Sequence, residues 1–321
     1  MRHILISSFL CYAQFMRRTY YILICCFILI CISYAIQRVA LQTTTPSLVR
    51  GMLEAFSTNE GVVYPKQKLY LDDFPKLSAR AYMAVFDDGK NSKQLISYNA
   101  DERMPIASIT KLATVMVALN SSASLIDQFS ETAISGAGSL GRYTATDTLP
   151  VSELVKSMLV ESDNDAARVV CENESSNFVN RMNSFAQNIG ARSTVFYNCT
   201  GLDGENGGTN LSTAHDTIEL MRSVVRLRPE LLSTMGMPSA SILNSDGSLH
   251  HVAISTYEVF GAGLPFSVMG GKTGQTDLAK QNLVLALKVP KGVLYLSVLG
   301  SDDRFSDMKK LTEYVHNSFE W

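Results

Sequence analysis

What most constrains this chain is where its strand-like segments fall. Residues 81–86 (Ala-Tyr-Met-Ala-Val-Phe) read as a strand. An Asp-Gly turn follows at 87–91, and residues 94–98 (Gln-Leu-Ile-Ser-Tyr) read as the return strand. Strand signals then come back near the other end, at 266–274, 282–289 and 293–299, with Pro290-Lys-Gly turning between the last two. From 120 to 261 the pattern is largely helical. Helices are expected from Pro150 to Val160 with Ser152 as N-cap, at 165–172, at 177–189 stopped by Gly190, and from the Ser212-Thr-Ala-His-Asp opening to Val225. Strands at both ends and helices between them predict an α/β (α+β) fold. One antiparallel sheet is built from the two chain ends, a helical subdomain is inserted beside it, and an amphipathic helix near 305–319 closes the chain.

The N-terminus is different in kind. Arg2, Arg17 and Arg18 precede an uncharged apolar run from Tyr20 to Ile36. The run is just long enough to span a bilayer, and the basic residues before it predict a cytoplasmic start. Residues 1–41 are therefore expected to be a cytoplasmic stub and signal-anchor (span about 20–36), 42–76 a tether, and 77–321 the exported domain. Cleavage after Ser33-Tyr-Ala35, with Met16 as the initiator, is the alternative, and it would release a secreted protein. Residues 64–74 are expected to pack locally on the domain. A net charge of −2 over 321 residues excludes nucleic acid as an electrostatic partner. Four of the six cysteines (Cys11, Cys25, Cys26, Cys31) lie in the first 31 residues. Cys171 and Cys199 could pair in an oxidising compartment, but two separate, partly buried thiols are the preferred reading, since a fold this large does not need a staple. No Cys/His spacing predicts a structural metal.

Ser108-Ile-Thr-Lys111 sits just before the apolar run Leu112 to Leu119, at an expected helix start near Ala107. A hydroxyl and an amine three residues apart share one helix face, and the free N–H groups of the first turn point at whatever Ser108 holds. Serine is a weak nucleophile until a base takes its proton, and a lysine held neutral by burial can do so. Alone, the motif favours a capping Ser and a surface Lys. Two further short motifs follow in order, Ser162-Asp-Asn164 and Lys272-Thr-Gly274. All three in this order, on these elements, are far less common by chance than any one of them.

With these three motifs the chain resembles the serine D-alanyl-D-alanine carboxypeptidases, the low-molecular-mass penicillin-binding proteins, whose fold is β-lactamase/transpeptidase-like. Pro105-Ile-Ala-Ser-Ile-Thr-Lys-Leu, Ser162-Asp-Asn-Asp-Ala-Ala, Phe178-Val-x-x-Met-Asn, Thr194-x-Phe-x-Asn198-x-Thr-Gly-Leu202 and Ser212-Thr-Ala-x-Asp216 carry it over about 77–300. The resemblance implies roles. Ser108 is the nucleophile, and Lys111 the general base, made less basic by desolvation and by Lys272. Ser162 relays a proton to the leaving amine, and Asn164 positions Lys111 and the substrate amide. Lys272 and Thr273 bind the terminal carboxylate. Gly274 lets substrate lie along the strand edge, and the backbone N–H groups of Ser108 and Gln275 form the oxyanion hole. Peptidoglycan stem peptides are the implied substrate, β-lactams the covalent inhibitors, and no cofactor or metal is needed.

Two positions depart from the family pattern. Ala279-Lys280 stands where Ala-Gly is usual, and Asp163 stands where the second motif commonly has Gly, closer to β-lactamase usage. The chain ends soon after its closing helix, which resembles the compact D-alanyl-D-alanine endopeptidases that cut cross-links. A β-lactamase is disfavoured because no Glu-x-x-Leu-Asn loop follows the second motif. A non-catalytic scaffold is disfavoured because every catalytic position is filled. His215, His250, His251 and His316 show no partner pattern and are read as surface or core residues. Glu153, Glu161 and Asp165 are read as solvated or capping.

Overall fold

The computed structural model describes residues 64–69, 73–120, 125–126, 129–174, 177–256 and 263–321. The expected anchor at 20–36, its four cysteines, the cleavage site and most of the tether lie outside the described residues. Among the described residues no helix is long and apolar enough to cross a membrane.

The described residues of Tyr64–Trp321 form one compact unit. Its centre is a five-stranded antiparallel sheet. Strands β1 (Ala81–Asp87) and β2 (Ser92–Tyr98) come from one end of the chain. Strands β5 (Ser267–Thr276), β6 (Lys280–Val289) and β7 (Gly292–Ser301) come from the other. The spatial order is β5-β6-β7-β1-β2, so β7 joins the two ends through pairs such as Leu294 opposite Phe86. The two-residue alternation of side chains sends neighbours to opposite faces. Leu283, Leu285 and Leu287 pack with Met308, Leu311 and Val315 of the closing helix, Arg304–Ser318. Val284 and Ala286 face the larger core under the helical region. Both faces are covered, which is why these strands read as apolar runs rather than as alternating polar and apolar residues.

The helical region holds α1 (Lys111–Ala118), α2 (Val151–Val160), α3 (Asn164–Glu174), α4 (Phe178–Asn188) and α5 (Ala214–Leu227). Every residue of α1 is buried. A 3₁₀ turn, Ala107–Thr110, leads into α1, so Ser108 lies in a tightened first turn. Parts of the expected tether pack on the unit: Lys66–Gln67 pairs with Phe319–Glu320, and Phe74 stacks on Tyr82.

Three expectations are corrected. Ser152 is not the cap of α2; the helix starts two residues earlier with Pro150 at the N-cap position, because Leu149–Pro150 is held extended against Leu125–Ile126. The helical middle contains a hairpin, β3 (Ser239–Leu243) with β4 (Leu249–Ile254), whose exposed Leu249, Val252 and Ile254 blur the polar–apolar alternation of a half-buried strand. Cys171 and Cys199 form a disulfide, their Cα atoms 6.3 Å apart. The bond ties α3 to the loop that supplies a carbonyl to Lys111, a local task that the size of the fold does not address.

Candidate active site

The three sequence motifs meet in one open cleft of about 640 Å³, lined by Ser108, Ser162, Asn164, Thr273, Gly274 and Gln275 among others. The outer edge of β5 forms one wall. The 3₁₀ turn and the Ser162–Asn164 turn between α2 and α3 form the other. Close backbone approach sets this geometry. A Cβ on Gly274 would lie 2.6 Å from the Ile106 carbonyl oxygen, and one on Gly201 would lie 2.0 Å from that of Ala107. Only glycine lets β5 and the 200–205 loop come this near the Ser108 turn. Ala107 (φ 48°) and Ser162 (φ 66°) both adopt left-handed backbone without being glycine. Such strain persists only where surrounding contacts hold it, and it gathers at functional sites.

Lys111 is fully buried. Its Nζ donates to Ser108 Oγ at 3.0 Å, to Asn164 Oδ1 at 2.7 Å and to the Thr200 carbonyl at 2.8 Å. Asn164 Nδ2 donates to the Gly138 carbonyl, which fixes its Oδ1 toward the lysine. Two of the three Nζ directions therefore end on pure acceptors. When the amine is neutral, its lone pair has one direction left, toward Ser108. Burial pushes Lys111 down to about 7, against the opposing pull of Asp163 and Glu205 and with help from Arg168. The nearby charge that lowers Lys111 alongside burial is Arg168, which pairs with Asp165 and Glu205, and the expected repulsion between Lys111 and Lys272 lowers Lys272.

Lys272 is also fully buried, on β5. Its Nζ donates to Ser162 Oγ at 2.8 Å and to the Thr273 carbonyl at 3.1 Å. Burial pushes it well below the usual lysine range, and the cations Lys111 and Arg304 push the same way. Ser162 Oγ accepts from Lys272, which leaves its own proton free to move. Thr273 Oγ1 lies 2.7 Å from Thr256 Oγ1. A Cβ on Gly274 would come 3.2 Å from the Ser108 backbone nitrogen, so that N–H lies beside the strand carrying Gln275.

Sequence reasoning missed Arg304. It opens the closing helix, lines the cleft, and donates through Nη1 to the Gly274 carbonyl and to Gln275 Oε1. A lone arginine after a strand carries no motif, so only the three-dimensional arrangement finds it. Two readings of single residues are corrected. Asp165 is buried and pairs with Arg168 at 3.1 Å, and Glu161 is nearly buried and pairs with Arg142 at 3.2 Å. His250 and His251 have specific carboxylate partners, Asp147 and Glu161. Each partner is more than eighty residues away in the chain, beyond any local pattern.

A family model described as D-alanyl-D-alanine carboxypeptidase matches residues 70–303. A D-alanyl-D-alanine carboxypeptidase of Escherichia coli (strain K12) is 26% identical over 79% of this chain, and the chain spans 64% of that relative. A D-alanyl-D-alanine endopeptidase of Pseudomonas aeruginosa is 28% identical over 72% of this chain and 76% of its own length. Among solved structures, penicillin-binding protein D2 of Listeria monocytogenes in its ampicillin-bound form aligns with a TM-score of 0.64 and 29% identity, covering 78% of this chain and all of that one. The mixed α/β, β-lactamase-like fold expected from the motifs is thus the fold observed.

Proposed function

Because this chain belongs to the D-alanyl-D-alanine carboxypeptidase family, we propose that it is a serine DD-peptidase that removes terminal D-alanine from peptidoglycan stem peptides through an acyl-enzyme. Ser108 Oγ attacks the carbonyl of the D-Ala-D-Ala bond while the Lys111 lone pair takes its proton. The N–H groups of Ser108 and Gln275 hold the oxyanion. Ser162 passes a proton to the departing D-alanine amine, and water then releases the acyl group. Lys272, Thr273 and Arg304 bind the substrate's terminal carboxylate. The stem peptide lies along the open edge of β5 as an added strand. The observation that carries this reading is the buried Lys111, 3.0 Å from Ser108 Oγ and pushed down to about 7.

The same residues would bind β-lactams covalently, a reading supported by the likeness to a relative solved in its ampicillin-bound form. The carboxylate on the cleft wall, Glu161, is held by Arg142, Ser157 and His251. It is therefore ill placed to activate a hydrolytic water, and a long-lived penicilloyl adduct is expected. Residues 77–321 are the catalytic domain in this reading. Residues 20–36 anchor it in the cell membrane, with 42–76 as a tether and the domain outside the cytoplasm. The Cys171–Cys199 disulfide fits such an oxidising location. Release by cleavage near Ala35 is the alternative, which N-terminal sequencing of the mature protein separates.

An endopeptidase that opens cross-links is the second reading, favoured by the likeness to the Pseudomonas aeruginosa enzyme. Digestion of purified muropeptides with mass analysis decides between them. Loss of one alanine from pentapeptide monomers supports the carboxypeptidase, and conversion of cross-linked dimers to monomers supports the endopeptidase. No change in either refutes both.

A further inference from the structure

Behind the Ser162 turn lies a buried polar chain that the reaction above does not use. It begins at Asp147, whose Oδ2 is 3.0 Å from His250 Nε2. His250 Nδ1 is 2.6 Å from His251 Nδ1, and His251 Nε2 is 2.7 Å from Glu161 Oε1. Ser157 Oγ donates to that same Glu161 oxygen at 2.9 Å and lies 3.2 Å from Asp163 Oδ2. Asp163 Oδ1 in turn accepts from the N–H groups of Asp165 and Ala166 and so caps α3. Tyr143 closes the pair off, stacked on His250 at 5.1 Å and edge-on to His251 at 5.8 Å. The two imidazoles are 8% and 9% exposed, so water has little access to replace these contacts.

Counting protons defines the state of the pair. An imidazole nitrogen facing an ionised carboxylate carries a hydrogen, so both Nε2 atoms are donors. Two Nδ1 atoms 2.6 Å apart then need one hydrogen between them. With none, two lone pairs collide; with two, two N–H groups collide. The pair therefore shares one proton and carries one positive charge between Asp147 and Glu161. The other groups facing it are Tyr143, Arg142, which neutralises Glu161 from its far side, and Asp163, whose carboxyl is pushed up by burial. Glu161, Asp163 and His251 bring donor atoms within 4.8 Å of one another, a spacing that would suit a metal ion. Arg142, Ser157 and backbone N–H groups already occupy those carboxylate oxygens. Two residues beyond the strand that carries the histidines lies Thr256, whose N–H donates to the Val160 carbonyl at 3.2 Å and whose Oγ1 touches Thr273. It thus reaches both walls of the cleft.

We propose that His251, backed by His250, is a positioning residue for Ser162: the shared proton holds Glu161, and through it the left-handed turn that aims the Ser162 hydroxyl at Lys272. This rests on the reading of Ser162 as the proton relay in Ser108 acylation. The test is the rate of Ser108 acylation by a fluorescent penicillin, measured on the full chain at pH 8. His251→Gln keeps an amide donor that reaches Glu161. His251→Ala lowers the rate at pH 8 by roughly 10- to 100-fold, the cost of a misplaced group, and His251→Gln restores most of it. A folded His251→Ala chain that acylates at the wild-type rate overturns the proposal, as does a His251→Gln chain as slow as His251→Ala. A change in the wild-type rate on adding micromolar zinc also overturns it, because the cluster would then be a metal site. An unlabelled wild type would instead refute Ser108 as the nucleophile. Ring-nitrogen NMR of the Ser108→Ala chain is independent of labelling: one hydrogen shared between the two Nδ1 atoms supports the proposal, and two Nδ1 atoms with no hydrogen between them overturn it.

Discussion

The helical wall and the sheet wall of the cleft each bury a lysine completely, yet they treat the charge in opposite ways. Lys111 meets three acceptors, one of which (Ser108 Oγ) also has a proton to give. Acidic groups stand behind it, and burial against their pull leaves it at about 7. Lys272 meets two acceptors, and the nearby charges acting on it are the cations Lys111 and Arg304. The first environment lets a proton come and go near neutral pH. The second lacks an anion and is completed by one. Burial alone does not make a catalytic base; the partners decide whether a buried lysine trades protons or binds a carboxylate.

Substitutions break this contrast in order of size. Ser108→Ala removes the acyl acceptor, and the penicilloyl adduct in intact-protein mass spectra is expected to disappear. Lys111→Met keeps the volume but deletes the base, so acylation slows by about 10²- to 10⁴-fold, read by stopped-flow labelling. Lys272→Met leaves that base in place and weakens the anion site. It costs roughly 10- to 100-fold in kcat/KM, carried mainly by KM if the two lysines are as different as their surroundings. Reducing Cys171–Cys199, which lie 28 residues apart, lowers stability by about 3 kcal/mol. It also loosens the Thr200 carbonyl under Lys111 but nothing at Lys272; melting with and without reductant measures the first effect. Last, Lys280 occupies a left-handed position (φ 54°) at the β5–β6 turn. Lys280→Gly relieves that strain and stabilises by roughly 1 kcal/mol, the usual cost of left-handed backbone for a residue with a Cβ, with no change in acylation.

The two walls also differ in how far the sequence revealed them. The sheet was legible because β6 and β7 are apolar on both faces and because Pro290-Lys-Gly marks their turn. Ser108, Lys111, Ser162, Asn164, Lys272 and Thr273 were legible because short spacings on a turn, a helix start and a strand encode their placement. Other features depend on long-range meetings. The β3–β4 hairpin lacks a clean alternation because its outer face is apolar. Arg304 reaches the cleft only because β7 returns the chain to it. Cys171 meets Cys199, and His251 meets Glu161, through packing that no local pattern records. Lys280 was visible as an unusual residue, but only the backbone shows that it carries strain.

The most direct test of the contrast between the two lysines is the pH dependence of Ser108 acylation by a fluorescent penicillin, followed in wild type and Lys111→Met. Neutral Lys111 is the active form, so the wild-type rate is expected to rise with pH through a midpoint near 7. The Lys111→Met rate is expected to be low and to lack that rise. A wild-type rate that is flat from pH 5 to 9, or a Lys111→Met profile that keeps the rise at near wild-type speed, would contradict the assignment of Lys111 as the base.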